Sequence, residues 1–70
     1  MTQNDRVYEY LTEHGTITSL EAITELGVTR LASRINDLKR TGHEITGQMI
    51  TVKNRFGESV RVKEYKLKDN

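Results

Sequence analysis

The sequence predicts an α+β fold, with three helices followed by a two-stranded antiparallel β-hairpin. Three observations support this prediction. Apolar residues recur at helical spacing in the N-terminal part, a tight Leu26-Gly27-Val28 turn separates two of the helices, and two C-terminal segments of strand formers match in one antiparallel register. Because 70 residues are enough for one small core, we expect residues 1–70 to form a single domain.

The first helix is predicted from a single apolar face. Its residues follow the i, i+3, i+4, i+7 spacing: Val7, Tyr10, Leu11 and His14. Gly15 is a typical helix stop, and either Thr2 or Asn4 is expected to cap the N terminus. The helix should therefore span about residues 4–14.

Two further helices follow with only a tight turn between them. Thr18 and Glu21 have the spacing of a capping box, which predicts a second helix over about residues 19–26. Its expected apolar residues are Leu20, Ala22, Ile23 and Leu26. Thr29 is the expected N-cap of a third helix over about residues 30–41. The expected core face of that helix is Val28, Leu31, Ile35 and Leu38. Two helices joined this closely predict a helix-turn-helix unit, to which the hairpin would add a wing.

The hairpin prediction rests on one register. If the turn Asn54-Arg55-Phe56-Gly57 is centred on Phe56, nearly every apolar strand residue faces an apolar partner or glycine. The expected pairs are Val52 with Val60, Ile50 with Val62, Gly47 with Tyr65, and Ile45 with Leu67.

The same register leaves a second apolar face on the outer half of the hairpin. Because side chains alternate along a strand, this face lies opposite that of Ile45, Tyr65 and Leu67, and it comprises Ile50, Val52, Val60 and Val62. Either the ribbon twists enough to bury both sets, or the outer set contacts a partner. The second alternative predicts a homodimer through the wing.

Charge is distributed unevenly along the chain. Residues 1–27 carry a net charge of −4, residues 28–43 carry +3 and residues 44–70 carry +2, although the whole chain is only +1. An acidic front joined to a basic back is the pattern of a domain that presents one basic surface to a polyanion.

The polar face of the third helix is the first part of the candidate DNA-binding surface. It is expected to comprise Thr29, Arg30, Ser33, Arg34 and Arg40, as a recognition helix presents to the major groove. Arg34 lies nearer the core face, so an ion pair with an acidic residue of the first or second helix is the alternative. Asp37 would accept a hydrogen bond from cytosine, orient a neighbouring arginine, or stay clear of DNA.

The hairpin tip is the second part of that surface. Lys53, Asn54 and Arg55 are expected to contact the adjacent backbone or the minor groove, with the wing at residues 53–59. Phe56 would either pack back onto the strands or wedge against a sugar or a partner.

No residue pattern predicts catalysis or cofactor binding. The chain has no cysteine, its two histidines lack ligand spacing, and no nucleophile, carboxylate pair or phosphate-binding glycine loop is recognisable. We therefore expect no enzyme activity, metal, cofactor or small-molecule substrate. The N terminus lacks a signal peptide pattern and no segment is apolar enough for a membrane, so a cytoplasmic location is expected.

The segment TSLEAITELGVTRLASRINDLKRTG, residues 18–42, resembles the small helix-turn-helix domain proteins of bacteriophages and prophages. The similarity continues through Gly42-His43-Glu44-Ile45 and from Asn54-Arg55-Phe56-Gly57 to Tyr65 and Leu67. The resemblance implies a winged helix-turn-helix that binds double-stranded DNA as a transcriptional regulator or accessory factor. Two alternatives stay open: a protein-interaction module such as an antirepressor or inhibitor, and a subunit of a larger phage replication or packaging complex.

Overall fold

The computed structural model describes residues 2–68, which form three helices and a three-stranded antiparallel sheet. The elements follow in the order α1 (Gln3–His14), β1 (Thr16–Thr18), α2 (Ser19–Glu21), a π-helical turn (Ala22–Leu26), α3 (Leu31–Arg40), β2 (Ile45–Lys53) and β3 (Ser59–Leu67). We call α2 and the π-helical turn together helix two. The predicted fold class is confirmed, with one strand added.

Helix α1 begins at a reciprocal cap. The Thr2 hydroxyl accepts from the Asp5 N–H at 3.1 Å, and the Asp5 carboxylate accepts from the Thr2 N–H at 3.2 Å. Thr2 is therefore the cap and Asn4 is not. Val7 and Leu11 carry the buried face of the helix, and Gly15 ends it in the left-handed region.

Helix two differs from the single α-helix predicted over residues 19–26. The predicted capping box is present, since Thr18 and Glu21 satisfy each other's backbone N–H groups. After one α-helical turn, however, the chain widens into a π-helical turn over Ala22–Leu26. The Val28 N–H then donates to the Ala22 carbonyl at 2.9 Å, which closes the end of the helix around Gly27 at φ +70°.

Helix α3 begins one residue later than predicted and has a different cap. Arg30 occupies the N-cap at φ −120° and ψ 63°, and among the described residues no side chain bonds to the helix start, so the prediction of Thr29 as N-cap is wrong. Leu31, Ile35 and Leu38 are buried as expected.

The sheet has the strand order β1-β3-β2. The predicted hairpin register is confirmed from Ile45↔Leu67 to Lys53↔Ser59. Strand β1 was not predicted; it pairs with β3 through Ile17↔Tyr65. The sequence does contain a signal for this strand, because Thr16-Ile17-Thr18 alternates polar and apolar residues. In the structure, Ile17 is buried between the two half-buried threonines.

One continuous core joins the helices to the base of the sheet. Its ten buried members are Val7, Leu11, Ile17, Ala22, Val28, Leu31, Ile35, Leu38, Ile45 and Tyr65. Two residues predicted on the apolar face of helix two do not belong to it: Leu20 is 68% exposed and Ile23 is 48% exposed. At about 100° per residue, Leu20 lies on the opposite side of the helix from Ala22, which faces the core.

Substitution of Gly27 by alanine should destabilise the fold by about 1–2 kcal/mol, the cost of placing an L-residue in the left-handed region. A Cβ at this position would meet no atom within 4 Å, so the cost should come from the backbone alone. Urea unfolding followed by circular dichroism measures it. Gly27→Asn is the control and should lose less, because asparagine tolerates this conformation. Equal stability of Gly27→Ala and the parent chain would contradict the assignment.

Candidate nucleic-acid interface

Three of the predicted contact residues lie at the start of α3. Thr29 and Arg30 are exposed and Ser33 is half-buried. The Arg30 carbonyl accepts from the Ser33 N–H at 3.1 Å and from the Arg34 N–H at 3.3 Å, which anchors the Arg30 backbone while its side chain is free to extend. Because no side chain caps α3, the positive end of the helix dipole lies open beside Arg30. This corner of the molecule is suited to an anionic ligand.

Arg34 forms an ion pair within α3. Its Nη2 lies 3.2 Å from Oδ2 of Asp37, and Nη1 of Arg40 lies 4.0 Å from Oδ1 of the same carboxylate. The expected alternative partner, an acidic residue of the first or second helix, is therefore wrong. Of the three roles considered for Asp37, orienting a neighbouring arginine matches the structure.

Arg40 lies far from the start of α3. Ten residues separate it from Arg30, which corresponds to about 15 Å along the helix axis. The structure thus groups Thr29, Arg30, Ser33 and Arg34 at the N-terminal end of α3 and leaves Arg40 at the other end, exposed beside Asp37.

The wing is a ribbon that extends beyond the rest of the sheet. Strand β1 pairs with β3 only at Glu64–Lys66, whereas β2 and β3 continue pairing outward to Lys53↔Ser59. The molecule is accordingly elongated, with extents of 39 × 23 × 20 Å. Lys53 and Arg55 are exposed at the far end of the ribbon.

Asn54 builds the turn that presents the wing tip. Its Oδ1 accepts from the N–H groups of Phe56 and Glu58 at 2.9 and 3.0 Å, and its Nδ2 donates to Oε1 of Glu58 at 3.0 Å. The backbone adds a bond from the Gly57 N–H to the Asn54 carbonyl at 3.0 Å. Asn54 lies in the turn as predicted, and its side-chain polar atoms bond within that turn.

Phe56 projects from the tip instead of packing back onto the strands. Its side chain is 77% exposed, so the expectation that it covers the ribbon is wrong. The guanidinium carbon of Arg55 lies 5.6 Å from the centre of the Phe56 ring, within range of a cation–π contact. The tip therefore offers a cation and an aromatic ring side by side.

The outer apolar face of the wing is only partly covered. Ile50 and Val62 are half-buried, whereas Val52 and Val60 are 39% and 38% exposed. Between this face and the first turn of helix two lies a surface groove of about 380 Å³. We call it the wing groove; it is lined by Thr18, Ser19, Leu20, Glu21, Ile50, Val52, Lys53, Val62 and Glu64.

The acidic side of the molecule lies where α1 meets helix two. Desolvation raises the pKa of the Tyr10 hydroxyl, and the nearby carboxylates of Glu21 and Glu25 raise it further. Tyr10 also stacks on His14, with 4.2 Å between the ring centres. Glu21 therefore belongs to an acidic cluster as well as to the cap of helix two and the rim of the wing groove.

Two classes of site find no support in the part of the chain that the structure describes. Residues 2–68 contain no group of three histidine, aspartate or glutamate side chains placed to hold a metal ion. Within the same residues, no helix is long and apolar enough to span a bilayer.

A family model described as a winged helix-turn-helix domain matches residues 2–70. No curated protein and no solved structure matches the sequence significantly.

Replacing Asn54 by alanine should disorder the wing tip without unfolding the domain. The substitution removes three side-chain hydrogen bonds from an exposed turn and leaves the core untouched. Hydrogen exchange measured by NMR should show faster exchange of the Phe56 and Glu58 amides and unchanged protection of amides in α1. Asn36→Ala, an exposed site on α3, is the control. Unchanged exchange at the tip would show that Asn54 does not hold the turn.

Proposed function

Because the chain belongs to the winged helix-turn-helix domain family, as the match over residues 2–70 shows, we propose that it is a sequence-preferring, double-stranded DNA-binding protein. DNA binding is what the family indicates. The single observation that carries the proposal is that exposed basic side chains lie at two places. Arg30 lies at the uncapped start of α3, and Lys53 and Arg55 lie at the end of the protruding wing.

In the proposed complex, α3 lies in the major groove with its first turn deepest. Arg30 pairs with a base, guanine being the usual partner of arginine, and Thr29 and Ser33 contact bases or phosphates. Arg34 is steered by Asp37 toward the same groove, and Arg40 contacts phosphate near the helix end.

The wing contacts the adjacent backbone or the minor groove. Lys53 and Arg55 neutralise phosphates there. Asn54 serves this contact by holding the turn that presents Arg55, because its own polar atoms already bond within the turn.

The biological role proposed is transcriptional regulation in a phage or prophage, carried out in the cytoplasm without catalysis. This part rests on the resemblance of residues 18–42 to small phage helix-turn-helix proteins.

A second candidate is a protein-interaction module that uses the winged-helix surface. The wing groove favours it, since a DNA-binding domain has no need of a partly open apolar surface there. The small net charge of +1 also agrees with it. Such a protein would bind a host or phage protein and ignore DNA.

Duplex binding should depend steeply on salt. If about six basic side chains contact phosphate, the logarithm of the association constant should fall with the logarithm of salt concentration at a slope near −5. Fluorescence anisotropy with duplexes selected from a random pool measures this slope. Failure to bind any duplex at low salt, with the regulatory DNA of the source genome included, would overturn the proposal.

Arg30 and Arg55 should differ in what they contribute. Arg30→Ala should cost about 1–3 kcal/mol on the best site and relax specificity at one base pair, because a base contact is lost. Arg55→Ala should weaken binding to all sequences and reduce the salt slope by about 1.

Arg6→Ala is the matched control, since Arg6 is exposed on α1 outside the proposed surface. The proposed binding mode would be wrong if Arg6→Ala weakened binding as much as Arg30→Ala. It would also be wrong if both α3 and wing variants bound normally.

A further inference from the structure

We propose that two copies of this chain associate through their wings, with Phe56 of each copy inserted into the wing groove of the other. The inference goes beyond DNA binding and concerns the chain without DNA, because Arg55 cannot contact phosphate and the groove of a second copy at the same time. It joins two features that the monomer leaves unexplained: an exposed phenylalanine and a partly open apolar groove.

The first argument is chemical fit. Phe56 is 77% exposed on a turn held by the Asn54 hydrogen bonds, so it needs little ordering before it can bind. The wing groove offers apolar walls from Leu20, Ile50 and Val62 and a volume of about 380 Å³, which is at the small end of ligand pockets. An aromatic ring is the type of anchor that such a groove accommodates.

The second argument is charge complementarity. Arg55 accompanies Phe56 at the tip, with its guanidinium 5.6 Å from the ring centre. The rim of the groove carries two carboxylates, Glu21 and Glu64, against one ammonium group, Lys53. An arginine brought in beside the ring would therefore enter a net negative rim. The tip also carries Glu58, whose carboxylate accepts from Asn54, so the complementarity rests on Arg55 and the two carboxylates of the rim, and it favours a second copy as the occupant.

The third argument is that a twofold-symmetric dimer would fill both grooves at once, with the tip of each copy in the groove of the other. In a closed dimer, residue i of one copy contacts residue j of the other, and the reverse. Phe56 lies in the turn beyond the end of β2 at Lys53, four to six positions from Val52 and Ile50, so it is at most about 13–20 Å from them. Two antiparallel wings overlapped by this length would place each tip at the other's groove. Val52 and Val60, which are 39% and 38% exposed, would then lie near the twofold axis and cover each other.

The contact is small, so the dimer should be weak. One ring, one arginine and a few aliphatic side chains per copy form an interface at the low end of specific associations, and a dissociation constant on the order of 100 μM is expected. Sedimentation equilibrium of the full chain, without DNA, over about 10 μM to 1 mM covers that range. The sedimentation data should fit a monomer–dimer equilibrium with no larger species.

The decisive variants change exposed side chains only. Phe56→Ser and Leu20→Ser should each weaken the dimer at least about tenfold. Ile23→Ser is the matched control: Ile23 is 48% exposed on helix two but does not line the groove, and its loss should leave the dimer unchanged. Circular dichroism of each variant checks that the fold is retained.

Mixing supplies an independent test. The Phe56→Ser copy keeps its groove and the Leu20→Ser copy keeps its tip, so an equimolar mixture should associate more tightly than either variant alone. Arg55→Glu should weaken the dimer, and adding Glu64→Arg should restore it. A chain that stays monomeric at 1 mM, a dimer insensitive to Phe56→Ser, or one disrupted only by Ile23→Ser would overturn the proposal.

Discussion

The turn between helix two and α3 is the constraint on which the functional surface depends. The bond from the Val28 N–H to the Ala22 carbonyl closes helix two, and Gly27 in the left-handed region reverses the chain. Val28 is then completely buried, so the turn is attached to the core directly and not only through the helices on either side. The direction of α3, and with it the position of Arg30, therefore follows from the backbone conformation at Gly27 and the burial of Val28.

A second constraint acts at the base of the wing. Ile17 of β1 pairs with the buried Tyr65 of β3, and Ile45 of β2 pairs with Leu67 two residues further along β3. Ile17, Ile45 and Tyr65 are buried and join the sheet to the helical core. Beyond Glu64 toward the wing tip, β2 and β3 pair only with each other in the described part of the chain. The molecule therefore has a packed body that positions α3 and a two-stranded extension whose geometry depends on its own turn.

Much of the fold could be predicted because its signals are local. The capping box at Thr18, the stop at Gly27 and the hairpin register each involve residues close in sequence or directly paired. The exposure of Leu20 could not be predicted in the same way, since it depends on which side of a short helix meets the core. Strand β1 depends on pairing with residues almost fifty positions later.

The candidate site was predictable as a set of residue types but not as an arrangement. Exposed arginines were expected on α3, yet the pairing of Arg34 and Arg40 with the intervening Asp37 depends on side-chain rotamers. The role of Asn54 depends on the conformation of a turn whose composition alone could be seen. The wing groove required two elements distant in sequence to come together, and no local pattern encodes that.

The length of the ribbon also has a consequence for solubility. Beyond Glu64 toward the tip, neither edge of the ribbon has a neighbouring strand among residues 2–68, so both edges expose backbone groups to which another chain could add. Lysine and arginine at Lys53, Arg61 and Lys63 disfavour strand addition at these edges, a contact different from the face-to-face packing proposed for two wings. These cations are therefore expected to limit edge-to-edge aggregation, whatever they bind. A variant that neutralised all three should aggregate more readily, and that effect would have to be measured separately from any effect on DNA binding.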